Sequence, residues 1–126
     1  STASRVITVG AYDALTFTYA DFSGRGGEGE GYRTKPDLAA PGVGIMTRAP
    51  GGTVTAVTGT SFATPFVTGG AALLMEWGII KENDPFLYGE KIKAYLRRGA
   101  RQLPGFAAYP NNQVGYGALC VEESIP

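Results

Sequence analysis

Histidine is absent from this 126-residue sequence, and cysteine occurs once, at Cys120. Without histidine, the chain alone holds no Ser-His-Asp triad, no histidine metal site and no imidazole pH switch. One cysteine excludes an internal disulfide and a cysteine zinc site. The 11 basic and 11 acidic residues cancel, which argues against a nucleic-acid-binding module. With 17% charged and 44% apolar residues, the composition predicts a globular chain with a large interior.

Long apolar runs are also missing, since no stretch approaches the roughly 18 apolar residues that cross a bilayer. Residues 5–10 form a short apolar run that predicts a strand covered on both faces. Residues 45–49 and 53–57 flank Pro50-Gly51-Gly52 and predict a β-hairpin. Residues 61–77 are apolar or small on nearly every side, which is typical of a central helix. Gly69 and Gly70 within it suggest that another backbone passes close by.

A second helix is expected to begin at Asp84-Pro85 and to end at Gly99. A basic cluster on and just after this helix is interpreted as a solvated face that favours the negative end of the helix dipole. Its members are Lys91, Lys93, Arg97, Arg98 and Arg101.

The glycine-rich stretch at residues 24–31 predicts an exposed loop. Its G-x-G-x-x-G pattern at residues 24–29 lacks the following helix that a dinucleotide-binding fingerprint requires.

Residues 58–65, TGTSFATP, join the predicted hairpin to the central helix. Ser61 lies where a helix begins, among unpaired N–H groups at its positive end. There, a serine can attack a carbonyl carbon while nearby N–H groups stabilise the oxyanion. Gly59 would allow the backbone close to a substrate. The alternative interpretation is structural, since serine and threonine are common N-caps, and Thr60 or Ser61 would then serve as the cap.

The predicted inventory does not make a complete domain. A buried parallel strand and a helix that is apolar on all sides both need partners. The sequence therefore predicts part of a larger α/β domain.

Residues 59–65 resemble the G-T-S-x-A-x-P serine motif of the subtilisin-like serine proteases, the subtilases. Further segments resemble motifs of the same family in the same order. They are VITVGAYD at 6–13, DFSGRG at 21–26, KPDLAAPG at 35–42, VTGGAALL at 67–74 and GYGAL at 115–119. The resemblance extends over nearly the whole chain.

This resemblance implies that residues 1–126 are the C-terminal part of a subtilase catalytic domain. The implied fold is α/β, a portion of a three-layer domain with a parallel sheet, a buried serine helix and a β-hairpin. Ser61 would be the nucleophile of a serine endopeptidase that works through an acyl-enzyme. The Ser61 N–H, with the Thr60 hydroxyl, would stabilise the oxyanion, and Gly59 would lie near the substrate. The Asp, the His and the oxyanion Asn would come from an upstream segment of the longer protein, here called the parent protein.

The resemblance also sets expectations for cofactors and partners. The chemistry requires no metal. Structural calcium is compatible with the family, and Asp13 is a carboxylate that would lie near such a site, although no ligand-like spacing in the sequence supports one. The expected partners are the N-terminal remainder of the domain and a polypeptide substrate. Phe66 stands where the family often has His, which predicts local repacking. The family weakly favours a secreted or extracytoplasmic bacterial protein.

Two other functions remain open at this point. A non-catalytic subtilase relative would keep the fold as a binding or regulatory module. An unrelated structural domain would match the motifs by accident, which agreement among several ordered motifs disfavours. In either catalytic or non-catalytic form, the isolated chain is expected to be inactive.

Overall fold

The computed structural model describes residues 3–27 and 34–126. Its main sheet has three strands, β1 (Val9–Asp13), β2 (Thr18–Tyr19) and β3 (Leu38–Pro41), in the order β2-β1-β3. Strands β1 and β3 are parallel, and β2 pairs antiparallel with the end of β1. The α/β class predicted from the sequence is therefore confirmed.

The predicted hairpin is present as β4 (Ile45–Arg48) and β5 (Val54–Val57). The two strands pair antiparallel from Ile45 opposite Val57 to Arg48 opposite Val54. Gly51 and Gly52 at the tip both have positive φ angles, a conformation that glycine adopts without strain. The hairpin leads directly into the long helix.

Three helices complete the described chain. Helix α1 (Thr60–Met75) continues through a π-helical turn (Glu76–Ile80). Helix α2 (Gly89–Gly99) and the short α3 (Val121–Ser124) follow. The predicted start of the second helix at Asp84-Pro85 is wrong. The Asp84 carboxylate instead accepts hydrogen bonds from Lys91 and Tyr95 of α2, and the Leu87 N–H closes a turn on the Asp84 carbonyl.

Alternating residues of β1 and β3 divide the core between the two faces of the sheet. Ala11, Leu38 and Ala40 face α1 and α2, whereas Tyr12 and Ala39 face the opposite side. That opposite side is covered by residues 103–118, through Leu103, Val114 and Ala118. The sheet is thus enclosed on both faces, as the strand pattern predicted, although the strand begins at Val9 and not at residue 5.

Helix α1 is less buried than its composition predicted. Ala63, Val67 and Leu74 lie in the core, but a set of large apolar side chains on the same helix is exposed. They are Phe62, Phe66, Leu73 and Met75. Gly70 packs against the side chains of Val121 and Leu119, and a Cβ at Gly69 would meet open space. The expectation that a backbone passes beside both glycines is therefore wrong for this chain.

The helical stretch Thr60–Ile80 also corrects the expectation that nothing in the chain reaches membrane-spanning length. The stretch has 21 residues, and its most apolar 18-residue window has a mean hydropathy of 1.2, which by length and composition is sufficient to cross a membrane. Core helices of globular domains pass the same test. Here one side of the helix packs against β1 and β3.

The basic cluster is not uniformly solvated. Arg98 and Arg101 are exposed as expected, but Lys93 and Arg97 turn inward. Both pair with the fully buried carboxylate of Asp37, which also binds Lys35. The solvated interpretation is therefore wrong for these two residues, because a buried carboxylate at the start of β3 supplies an internal partner.

Candidate functional site

Ser61 is the second residue of α1, and its side chain is exposed at the start of the helix. The N-cap is Gly59, and no side-chain hydrogen bond caps this helix. The capping interpretation of Thr60 and Ser61 is therefore contradicted. A hydroxyl in the first turn that does not cap the helix is free to act on a bound molecule.

The segment that carries Ser61 is fixed to the end of the sheet by main-chain hydrogen bonds. The Gly42 N–H donates to the Tyr12 carbonyl at the end of β1 (3.1 Å), and the Gly59 N–H donates to the Gly42 carbonyl (2.8 Å). A Cβ at Gly42 would lie 2.6 Å from the Cβ of Ala11 and 3.0 Å from the Gly59 oxygen. Only glycine therefore allows this approach, and Gly59 itself has a φ of 153° that other residues rarely adopt.

The first turn of α1 leaves polar main-chain groups near the hydroxyl. The N–H groups at a helix start have no acceptor within the helix, so the Ser61 N–H is available to an oxyanion. The Thr60 carbonyl accepts the Thr64 hydroxyl at 3.0 Å. Pro65 is the sixth residue of α1 and lies beyond its first turn. Because proline has no N–H, it donates nothing to the carbonyl of Ser61.

Among the described residues, no three His, Cys, Asp or Glu side chains come together as metal ligands. Asp13, the carboxylate considered for calcium, ends β1 and accepts the Leu15 N–H at 2.9 Å. A structural calcium ion in the parent protein stays a prediction. Part of the G-x-G-x-x-G pattern, residues 28 and 29, lies outside the described residues.

A buried ionic cluster lies on the other side of the domain, at the start of β3. The Asp37 carboxylate is 2.7 Å from Lys35 Nζ and 3.2 Å from Lys93 Nζ, and Arg97 also donates to it. The Thr8 N–H adds a hydrogen bond of 2.8 Å.

The charges in this cluster shift each other's protonation. Burial opposes ionisation of Asp37, but hydrogen bonds from Lys35, Thr8 and Arg97 outweigh it and lower the pKa of the carboxyl. Desolvation lowers the pKa of Lys93, although its contact with Asp37 acts in the opposite direction. The Lys35 and Lys93 ammonium groups both also donate to the Val6 carbonyl. The cluster thus ties α2, β3 and the segment before β1 together.

Sequence reasoning placed Ser61, Thr60 and Gly59 together at the helix start, and the structure has them there. It missed the role of Gly42, whose only signal was its position after Ala-Pro in a segment of small residues. It also missed the partnership of Asp37 with Lys93 and Arg97, which are 56 and 60 positions away in the chain. A lone acid inside an otherwise apolar run was the available signal, because such a group is rarely buried without a partner.

Comparison with known proteins places this geometry in one family. The model of the Subtilase family matches residues 1–117. Serine protease AprX of Bacillus subtilis is 33% identical over 97% of this chain and 30% of its own length. The minor extracellular protease Vpr of the same organism is 32% identical over 89% of the chain and 14% of its own length.

Solved structures agree with the sequence comparison. The Clostridium perfringens CspB protease superposes with a TM-score of 0.91 and 47% identity, over 94% of this chain and 25% of that one. The chain therefore spans only a minor part of each of these relatives. Both the family match and the shared architecture lead to one conclusion, that this chain belongs to the subtilase family as a partial subtilisin-like domain.

Proposed function

We propose that this chain is the C-terminal part of the catalytic domain of a serine endopeptidase and that Ser61 is its nucleophile. The observation that carries the proposal is the exposed Ser61 hydroxyl in the first turn of α1, with Gly59 and not serine as the N-cap. Family membership supports the chemistry, since residues 59–65 resemble the serine motif of subtilases.

In this mechanism, the Ser61 hydroxyl attacks the carbonyl carbon of the scissile peptide bond. A histidine from the preceding part of the parent protein accepts the hydroxyl proton, and an aspartate orients that histidine. The Ser61 N–H donates to the oxyanion of the tetrahedral intermediate, assisted by the Thr60 hydroxyl and an upstream asparagine. The histidine then protonates the leaving amine, and water releases the acyl group. Gly59 leaves room for the substrate backbone.

The preceding part of the domain is the proposed first partner of this chain. Helix α1 exposes a line of apolar residues at Phe62, Phe66 and Leu73, which are spaced so that they share one side. A mostly apolar groove of about 310 Å³ separates α1 from the start of β1, with Ile7, Val67 and Ala71 in its walls. Exposed apolar surface of this extent on a central helix supports coverage by additional chain. Phe66 would repack within that interface.

A polypeptide substrate follows from the reaction class, and a location outside the cytoplasm is proposed from relatives such as the extracellular Vpr. The second candidate function is a non-catalytic subtilase module. It is the less favoured of the two, because the serine motif is intact and the hydroxyl is exposed.

The test is peptide hydrolysis by the parent protein and its Ser61→Ala variant. We expect Ser61→Ala to lower kcat by roughly 10⁶-fold, which is the size of the loss when subtilisin, itself a member of this family, loses its catalytic serine. Ser4→Ala, at an exposed serine near the start of the described chain, is the matched control and should leave kcat unchanged. Equal activity of the wild type and Ser61→Ala would refute the nucleophile, and inactivity of the folded wild type would favour the non-catalytic module.

A further inference from the structure

We propose that Thr58 is a positioning residue for Ser61, because its hydroxyl holds the nucleophile-bearing segment against the turn at residues 41–44. The inference rests on the proposed function of Ser61 and adds a residue outside the reacting groups. Thr58 lies between the last residue of β5 and the Gly59 N-cap, so it is the point at which the hairpin becomes the helix.

The main-chain pairing between β4 and β5 ends at Ile45 opposite Val57. After Val57, the chain leaves the hairpin and enters α1. The next N–H on the opposite strand, that of Gly44, donates instead to Thr58 Oγ1 at 3.0 Å. The side chain of Thr58 thus replaces the main-chain acceptor that the ladder loses at this position.

A second hydrogen bond, between main-chain groups, lies next to the Thr58 hydrogen bond. The Gly59 N–H donates to the Gly42 carbonyl at 2.8 Å, and the Gly42 N–H is held by Tyr12 of β1 at 3.1 Å. Two consecutive residues, Thr58 and Gly59, are therefore hydrogen-bonded to one short turn, which is itself hydrogen-bonded to β1. Ser61 lies two residues after Gly59.

The Thr58 hydroxyl supplies a restraint that the main-chain hydrogen bond between Gly59 and Gly42 does not supply alone. Glycine has more conformational freedom than any other residue, so a single hydrogen bond at the Gly59 N–H leaves the entry to α1 able to pivot. The Thr58 hydrogen bond adds a second restraint at the preceding residue, so the segment is held at two consecutive points before Ser61. Thr58 and Gly44 are both exposed, so water can replace this hydrogen bond at small cost to folding. The loss should therefore appear in catalysis, where a displacement of about 1 Å can cost about 100-fold.

The experiment compares variants of the parent protein in steady-state peptide hydrolysis. Thr58→Val keeps the shape and removes the acceptor, and we expect it to lower kcat about 10-fold, with KM within about twofold of wild type. Thr58→Ser restores the hydroxyl and should return kcat to within about twofold of wild type. Thr55→Val, an exposed threonine on β5 of the same hairpin, is the matched control and should change neither constant.

Wild-type kcat in Thr58→Val would overturn the inference, and so would an equal loss in Thr58→Val and Thr58→Ser. Thr58→Ala supplies a second acceptor-free variant if Thr58→Val does not fold, with the same expected loss. Ser61→Ala is measured alongside to separate the two proposals. Activity that survives Ser61→Ala refutes the nucleophile, whereas activity that needs Ser61 but ignores Thr58 refutes the positioning role alone.

Discussion

The two ends of the parallel strands β1 and β3 differ in how completely residues of this chain cover them. At the start of β3, Asp37 is fully buried with Lys35, Lys93 and Arg97 as partners, and α2 closes over the cluster. Near the end of β1 and β3, Ser61 and the apolar residues Phe62 and Phe66 of α1 are exposed. The charged groups of the first region are paired with residues of this chain, whereas the second region exposes a hydroxyl and apolar side chains. In the proposal above, the preceding part of the domain would cover the Ser61 side, while the Asp37 side is closed by this chain's own residues.

The largest expected effect on stability is at the closed region. Asp37→Asn keeps the shape of the side chain but leaves buried cations without a counter-charge. Breaking one partner of a buried ionic group costs about 3–5 kcal/mol, and we expect a loss of this size in the free energy of unfolding, measured by urea denaturation. Glu123→Gln removes one partner of the exposed Arg101–Glu123 pair and serves as the control, with a change of about 1 kcal/mol or less. Comparable losses in the two variants would contradict the buried role of Asp37.

A pair of adjacent leucines on α1 tests the open region. Leu74 is fully buried and Leu73 is 51% exposed. In the 126-residue chain, Leu74→Ala should cost about 2–5 kcal/mol of unfolding free energy and Leu73→Ala about 0.5 kcal/mol or less, by urea denaturation.

In the parent protein, the same two substitutions should become similar, because the proposed remainder of the domain covers Leu73. A cost at Leu73 that stays small in the parent protein would show that this side of α1 remains uncovered there.

Acid should weaken the closed region first. The pKa of Asp37 in the folded chain lies below its ordinary value of 3.8, so the folded state favours the carboxylate. The stabilisation is complete above about pH 3.8 and is lost as the pH falls through the folded pKa. Unfolding free energies measured by urea denaturation at a series of pH values below 5 should fall accordingly. Asp37→Asn should flatten this dependence, while Asp84→Asn, at the Lys91 contact outside the core, should leave most of it. If the unfolding free energy of Asp37→Asn fell with acid as much as that of the wild type, the pH dependence would have to come from other carboxylates.

Much of the local structure was predictable because it depends on neighbouring residues. The hairpin follows from its Gly-Gly tip, and the helix after Ser61 follows from its small and apolar residues. The enclosure of β1 on both faces follows from its apolar, non-alternating composition. Its parallel pairing with β3, which puts Val9 opposite Leu38, joins distant parts of the chain and was not predicted. The position of Ser61 at the start of a helix was predictable because the residues that determine it are contiguous in the sequence.

What the sequence did not reveal depends on contacts between distant residues. Lys93 and Arg97 lie on an amphipathic helix, where cations usually face water. The acid in an apolar run indicated that Asp37 needs a partner, but no local pattern indicated which cations supply it. Asp84-Pro85 has the composition of a helix start, but tertiary contacts with Lys91 and Tyr95 use its carboxylate differently. The hydrogen bond between Gly44 and Thr58 depends on where the pairing of β4 with β5 ends, and composition does not specify this detail of register.

The most direct measurement is fluorophosphonate labelling of the parent protein and of the isolated 126-residue chain, with the modified residue identified by mass spectrometry. We expect the parent protein to be labelled at Ser61 and the isolated chain to be labelled far more slowly, because its serine lacks a base. Rapid labelling of Ser61 in the isolated chain, or labelling of the active parent protein at a residue other than Ser61, would contradict an exposed nucleophile that depends on the rest of its domain.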